Sequence, residues 1–240
     1  MAGAQIFVGC GGSGAETLLR LHSLLMHDAY WRYMLSTDVY YLVVDTEQAE
    51  IKRFESEVKR MCGTVPGPCV KSVLLSQGYK NLTPIVYEYF SHPHRLIAAD
   101  NGQDRLRQHW WVNGDDEPFE APRVSPLKDG AGQCPPVSFF LSWHRMAMIK
   151  QAVDGLQEEI KSRRQHLSLP NGPLAEANVT LACSLAGGTG RGCWMPVMFA
   201  IKEAFAKLGP NFPVGPVAFF YDAAVYDAYL VSDEKRSTRL

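Results

Sequence analysis

The chain has 240 residues, of which 46% are hydrophobic and 20% charged, and its formal net charge is −1. This is the composition of a soluble globular protein with one large domain or two small ones, and it gives no general attraction to nucleic acid or to an anionic membrane. No apolar run approaches the ~20 residues of a membrane span, and the N-terminus lacks the basic region of a signal peptide, so we expect a cytoplasmic protein.

Apolar strands and helices alternate along the first third of the chain. The predicted strands are Gln5–Val8, Val39–Val44 and Val70–Leu75. Leucines at helical spacing from Leu18 to Leu25 predict a helix after the first strand, and Glu47–Met61 predicts an exposed, charged helix after the second. This alternation is typical of a parallel α/β sheet.

The second half of the chain continues the pattern less regularly. The predicted elements there are a long amphipathic helix over Ser138–Leu167, a strand over Val179–Cys183, a helix over Pro196–Leu208 and a strand over Phe212–Tyr221. We place Pro196 near the first helical turn, where its missing N–H would have had no partner. The chain stops within a helix-compatible segment, so we expect residues 1–240 to be one nucleotide-binding domain from a longer protein.

Three glycine-rich segments precede predicted helices. They are Gly9–Gly14 (GCGGSG), Asp129–Gln133 (DGAGQ) and Leu185–Gly192 (LAGGTGRG). Glycine allows another group to approach the backbone closely, and a helix N-terminus offers free N–H groups with partial positive charge. Each segment therefore predicts an anion cradle, most often for phosphate. None ends in GK[ST], so the lysine of a P-loop is missing.

The first segment alone also matches GxGxxG, the motif of dinucleotide-binding folds. The acidic residue that binds ribose is expected ~20 residues later in such folds, whereas Asp45 lies further on. A dinucleotide fold also needs only one phosphate loop. An NAD(P)-dependent oxidoreductase is therefore an alternative interpretation of these residues.

The order of four sequence blocks points to a known family. Ala186–Gly192, AGGTGRG, is similar to the signature GGGTG[ST]G of the tubulin/FtsZ superfamily, with Ala186 replacing a glycine and Arg191 replacing a serine or threonine. Gly9–Gly14 matches the first glycine-rich loop of that family. The chain thus resembles the nucleotide-binding domain of this superfamily, and it looks closest to the bacterial tubulin-like members.

Two further blocks extend the resemblance, which covers Ile6 to about Tyr221. Residues 44–49, VDTEQA, look like the FtsZ segment after its second strand, and residues 130–135, GAGQCP, look like the loop that faces the terminal phosphate. The implied fold is a three-layer α/β domain with a parallel sheet, of the Rossmann-like tubulin/FtsZ GTPase type. The implied ligands are GTP or GDP, with Mg²⁺ as an accompanying ion.

The resemblance assigns nucleotide-binding roles to specific residues. The first segment would face the phosphates and the base side through Gly11, Gly12, Ser13 and Gly14, and the block after the second strand would lie near magnesium or phosphate through Asp45 and Thr46. The γ-phosphate would be sensed by Gly130, Ala131, Gly132 and Gln133, and the α- and β-phosphates would be wrapped by Gly187, Gly188, Thr189, Gly190 and Gly192. Ribose would be contacted by Asp222 and Glu234. Arg191 either adds a charge-assisted hydrogen bond to phosphate or faces solvent.

The resemblance also implies head-to-tail self-association in a cytoskeletal filament, with hydrolysis completed by a neighbouring subunit. The central helix and second domain that supply this function in the family are absent from the 240 residues. A tubulin-like scaffold that does not hydrolyse nucleotide is thus a second alternative, and other protein partners stay open.

The chain offers little basis for a metal site made of protein ligands alone. The six cysteines form no CxxC pair, so a zinc finger is not predicted, and we expect reduced thiols. His92 and His94 flank Pro93 but lack a third ligand.

Overall fold

Five parallel strands form one sheet. They are β1 (Gln5–Cys10), β2 (Val39–Asp45), β3 (Cys69–Leu74), β4 (Asn178–Ser184) and β5 (Val217–Tyr221). The structure is a computed structural model and describes residues 4–79, 131, 135–166, 177–185, 187–206 and 217–221. The strand order is β3-β2-β1-β4-β5, so the chain begins at the centre and builds outward in both directions. The chain therefore adds β2 and β3 on one side of β1 and β4 and β5 on the other side, and the connections from β1 and β4 diverge at the crevice between these two strands.

Six helices in the described residues cover the two faces of the sheet. They are α1 (Gly11–His27), α2 (Ala29–Leu35), α3 (Gln48–Cys62), α4 (Pro135–His144), α5 (Met146–His166) and α6 (Gly188–Ala206). Helices α1 to α3 pack with one apolar cluster, which includes Tyr41 and Val43 of β2. Helices α4 to α6 pack with the other, which includes Tyr40 and Leu42 of the same strand. The predicted three-layer α/β fold with a parallel sheet is confirmed.

Alternation of side chains along β2 explains why this strand reads as one continuous apolar run. All seven of its residues are buried, and successive side chains point to opposite apolar clusters. The register aligns Cys10 of β1 with Val44 of β2 and with Cys183 of β4. The carboxyl ends of three strands therefore lie level, which brings the segments that follow them together.

The predicted start of the last helix was wrong. Helix α6 begins at Gly188, eight residues before Pro196, so this proline lies inside the helix and not in its first turn. Glycine has low helix propensity, and the glycine-rich stretch was therefore interpreted as a loop. Its residues instead form the first turn of α6. The absent N–H of Pro196 removes the usual hydrogen bond to the Gly192 carbonyl.

Other helix boundaries also differ from the predictions. The single helix predicted over Ser138–Leu167 is two helices that meet at Arg145. A tertiary contact accompanies the break, because the Arg145 guanidinium donates to the Gln77 carbonyl at 2.6 Å and lies 4.7 Å from the centre of the Tyr79 ring. Helix α2 was not predicted. Residues 211–216 and 232–240 lie outside the described residues, so the predictions there stay predictions.

Candidate functional site

The first glycine segment turns directly from β1 into α1. Gly11 has φ +73°, in the left-handed region that favours glycine, and a Cβ there would lie 2.7 Å from the Gly190 backbone nitrogen. The N-cap residue, Cys10, makes no side-chain capping hydrogen bond, and the first turn carries no acidic residue. The first N–H groups of α1 therefore lack a capping side chain and leave partial positive charge at this edge of the sheet.

The second glycine segment packs against the first. A Cβ at Gly190 would lie 2.7 Å from the Cys10 carbonyl oxygen and 3.2 Å from that of Ser184. A Cβ at Gly187 would have no described atom within 4 Å, and the first turn of α6 also carries no acidic residue. Two helix N-termini thus meet between β1 and β4, at the carboxyl edge, where open α/β sheets bind ligands.

A hydroxyl contact joins the second glycine segment to the end of β2. The Oγ1 atoms of Thr46 and Thr189 are hydrogen-bonded at 2.8 Å, although the two residues are 143 positions apart. Ser76 Oγ holds Thr46 from the other side by donating to its carbonyl at 2.6 Å. The residues after β2 therefore belong to the same site as the two glycine segments.

Asp45 brings a buried carboxyl to this site. Asp45 is only 2% exposed. Its Oδ1 accepts hydrogen bonds from the backbone N–H groups of Thr46 at 2.7 Å and Glu47 at 3.1 Å. Among the described residues, its Oδ2 is buried without a hydrogen-bond partner. Burial raises the Asp45 pKa to about 6, against the lowering effect of the two amide hydrogen bonds. The site therefore holds one carboxylate oxygen that no described group satisfies.

A charged cluster borders the first turn of α1. The Glu50 carboxyl carbon would lie 3.6 Å from a Cβ at Gly12, which is an ordinary contact distance. Arg53 bridges Glu50 at 3.0 Å and Glu16 at 3.2 Å. The guanidinium offsets the negative charge that Glu50 would otherwise bring to the N-terminus of α1. Sequence reasoning missed Glu50, for which the three-residue spacing to Arg53 was the available signal.

Three thiols lie beneath the glycine segments. Cys10, Cys183 and Cys193 are each 0% exposed. A hydrogen bond with Cys193 and burial raise the Cys10 pKa, and burial raises the Cys183 pKa to about 12. Cys10 and Cys183 therefore stay neutral at neutral pH, and all three buried side chains serve as apolar packing. The five cysteines in the described ranges are all free thiols.

The structure brings together most of the predicted site residues that it describes. Gly11, Gly12, Ser13 and Gly14 form the first turn of α1, Gly188 to Gly192 form that of α6, and Asp45 and Thr46 lie beside them. Ala131 is 2% exposed and belongs to the apolar cluster of α4 to α6. Arg191 is exposed and has no ion pair among the described residues. Five predicted residues lie outside the described part: Gly130, Gly132, Gln133, Asp222 and Glu234.

Comparison with known proteins agrees with this arrangement. The family model described as "Tubulin like" matches residues 6–237. The chain belongs to the tubulin-like family. No curated protein matches it significantly in sequence. Because the match runs through all three glycine segments and the block after β2, membership in this family favours the tubulin-type interpretation of the first segment over a dinucleotide motif.

Two features are absent from the described ranges of this tubulin-like chain. No helix there is long and apolar enough to cross a membrane. No group of three or more histidine, cysteine or acidic residues there is arranged to hold a metal ion.

Proposed function

We propose that this chain is the GTP-binding domain of a tubulin-like protein. The observation that carries the proposal is the meeting of two glycine-rich helix N-termini, neither with an acidic residue in its first turn, at the β1/β4 crevice. Their N–H groups and helix dipoles favour an anion, and a nucleotide carries several linked phosphates. The preference for guanine comes from the family resemblance alone.

The two glycine segments divide the phosphate contacts between them. In this proposal Gly12, Ser13 and Gly14 offer the α1 terminus, while Gly187, Gly188 and Thr189 offer the α6 terminus. Gly187 supports this division, since no described atom occupies the space that a side chain would fill there. The Thr189 hydroxyl adds a donor once it exchanges its bond with Thr46 for a phosphate oxygen.

Asp45 is the residue that would hold Mg²⁺ with the nucleotide. Mg²⁺ in nucleotide sites is usually held by one or two carboxylates together with phosphate oxygens and water. The buried Oδ2 of Asp45, which has no partner among the described residues, fits this requirement, and Glu47 lies two residues further on. When bound, the cation supplies charge neutralisation to the phosphates.

Assembly and hydrolysis belong to the same proposal. We infer head-to-tail self-association, with the nucleotide at the contact between copies and with hydrolysis completed by acidic residues of the next subunit. A scaffold that binds nucleotide without hydrolysis is the second candidate, because Arg191 replaces a serine or threonine of the family signature and is exposed.

Isothermal titration with GTP, GDP and NAD, with and without Mg²⁺, tests the binding proposal. We expect GTP and GDP to bind, Mg²⁺ to tighten GTP, and NAD not to bind. Equal affinity for NAD, or no affinity for GTP, contradicts it. Sedimentation and phosphate release then separate the two candidates: GTP-dependent pelleting without phosphate release favours the scaffold, and unchanged assembly in Arg191→Ala removes that residue from either role.

A further inference from the structure

Helix α4 reaches the second glycine segment through one buried serine. Ser138 is 0% exposed, and its Oγ donates to the Gly188 carbonyl at 2.6 Å. The same hydroxyl lies 3.0 Å from the Pro135 carbonyl of its own helix. Gly188 is the first residue of α6, so the serine holds the peptide at the start of the proposed phosphate-binding helix.

Gly192 shows how closely the two helices approach. A Cβ at this position would collide with Ser138 Oγ and with the Pro135 carbonyl oxygen, and it would lie 2.7 Å from the Phe139 nitrogen. The absence of a side chain at Gly192 is therefore required by α4. Since no side chain separates the two backbones, Ser138 sits at a fixed distance from the first turn of α6.

The carbonyl that Ser138 holds belongs to the same planar unit as the Thr189 N–H. In a trans peptide the C=O and the N–H point in opposite directions, so fixing the Gly188 carbonyl toward α4 fixes the Thr189 N–H away from it. That N–H lies in the first turn of α6, where it has no partner within the helix. Within α6 the Gly188 carbonyl can also accept the helical hydrogen bond from the N–H four residues on, so Ser138 adds a second hydrogen bond at the frayed end of the helix, where glycine resists rotation of the peptide least.

We propose that Ser138 is a positioning residue for phosphate, acting by orienting the Gly188–Thr189 peptide so that its N–H is preset for the ligand. The Thr46–Thr189 hydroxyl bond holds the side chain of the same residue, so the backbone and the side chain of Thr189 are each held by a hydrogen bond from another segment. The inference rests on the proposed nucleotide function, and it adds α4 to the site.

Ser142 provides a matched control on the same helix. It is also 0% exposed, and its Oγ donates to the Ser138 carbonyl at 2.6 Å, within α4. Ser138→Ala and Ser142→Ala thus each delete one buried hydroxyl of α4, but only the first removes the hydrogen bond to the Gly188 carbonyl. Ser138→Cys keeps the size of the side chain with a weaker donor, and it serves if Ser138→Ala does not fold.

The test is displacement of a fluorescent GTP analogue by GTP, GDP and guanosine from the full chain. Losing a neutral hydrogen bond that orients a donor is expected to weaken GTP and GDP about fivefold each in Ser138→Ala. We expect a smaller loss in Ser138→Cys, less than twofold change in Ser142→Ala, and unchanged displacement by guanosine, which lacks phosphate.

The outcomes separate this inference from the function beneath it. If the wild-type chain binds no nucleotide, the proposed function fails first. If the wild type binds GTP and Ser138→Ala behaves like Ser142→Ala, the positioning role alone is overturned. An equal loss for guanosine also overturns it, because that result indicates general loosening of the site.

Discussion

His22 and Asp45 are both buried ionisable residues, but their hydrogen-bonding surroundings differ. His22 lies between α1 and α3 with 0% exposure, and its Nδ1 is 3.2 Å from the Tyr41 hydroxyl while its Nε2 is 3.5 Å from Cys62 Sγ. Asp45, at the carboxyl edge of the sheet, has one satisfied oxygen and one without a partner. Burial lowers the His22 pKa to about 4 and raises the Asp45 pKa to about 6.

This difference separates the layer that only supports the fold from the edge that we expect to meet a ligand. Buried polar atoms are normally hydrogen-bonded, so a buried polar atom without a partner marks a place where a ligand or an ion can bind. Among the glycines the same division holds, because Gly14 and Gly190 are pressed against backbone while Gly187 is open. Unpartnered buried nitrogens also occur on α4 and α5 and between them, at Trp143, Arg145 and Gln157, so Asp45 is distinguished among the described residues by being the buried carboxylate with an unpartnered oxygen, and by its place beside the glycine segments.

The largest expected effect is that of Gly14→Ala, which tests the packed side of the comparison. The new Cβ would lie 2.5 Å from the Ala182 carbonyl oxygen and 3.0 Å from the Gly9 carbonyl carbon, and backbone atoms cannot move aside cheaply. We expect the free energy of unfolding to fall by more than about 3 kcal/mol, measured by urea denaturation. Wild-type stability in this variant would show that the glycine is not required for packing.

His22 predicts a pH dependence of stability. Its folded pKa of about 4 lies below the ordinary 6.5, so the unfolded chain binds the proton more tightly between these values. Stability is therefore lost as pH falls from 6.5 toward 4, by about 3 kcal/mol. Replacing His22 with glutamine should remove this part of the slope, whereas His27→Gln, at an exposed position on the same helix, should keep it. Equal slopes in both variants would contradict the assignment.

Asp45→Asn tests the carboxyl with the unpartnered oxygen. The pH dependence of stability that Asp45 predicts has the opposite sign to that of His22. The folded pKa of about 6 lies above the ordinary 3.8, so the contribution of this carboxyl is most favourable below pH 3.8 and is lost as pH rises through 6. Asparagine can keep the two accepted amide bonds without the buried charge.

We therefore expect Asp45→Asn to raise the free energy of unfolding by roughly 2 kcal/mol above pH 6 and to leave it unchanged near pH 4. Chemical denaturation across this pH range measures it. The same variant should lose the Mg²⁺ enhancement of GTP binding in titration. A less stable protein at pH 7 would mean that the carboxylate is not an uncompensated charge.

Local pattern predicted the strands of this molecule and the places where the glycine segments follow them. Strand residues such as those of Val39–Asp45 are apolar in sequence because both faces are covered, and glycine marks the turns that follow. The block order then placed Asp45 and Thr46 with the glycine segments. The start of α6 was missed because helix propensity disfavours glycine, although an anion-binding terminus requires it.

Contacts between distant segments were beyond the reach of local pattern. The bond from Ser138 to Gly188 joins residues 50 positions apart, and Ser138 in sequence is only one position in an apolar helical stretch. The break at Arg145 likewise depends on its contact with Gln77, 68 positions away. Periodicity reports which face of an element is buried, and it carries no information on which backbone group a buried hydroxyl will meet.

Gly187→Ala should have the smallest effect on stability and is the sharpest test of the open side. No described atom lies within 4 Å of the new Cβ, so we expect the free energy of unfolding to change by less than about 0.5 kcal/mol. If the space belongs to phosphate, GTP affinity in titration should fall about tenfold, because the methyl group prevents close approach to the backbone. Gly63→Ala is the control. Gly63 follows the last residue of α3 with φ +57°, so alanine there strains the backbone at a position outside the crevice. Unchanged GTP affinity in Gly187→Ala would mean that open glycines do not mark the ligand here, and the contrast with Gly14 would then concern packing alone.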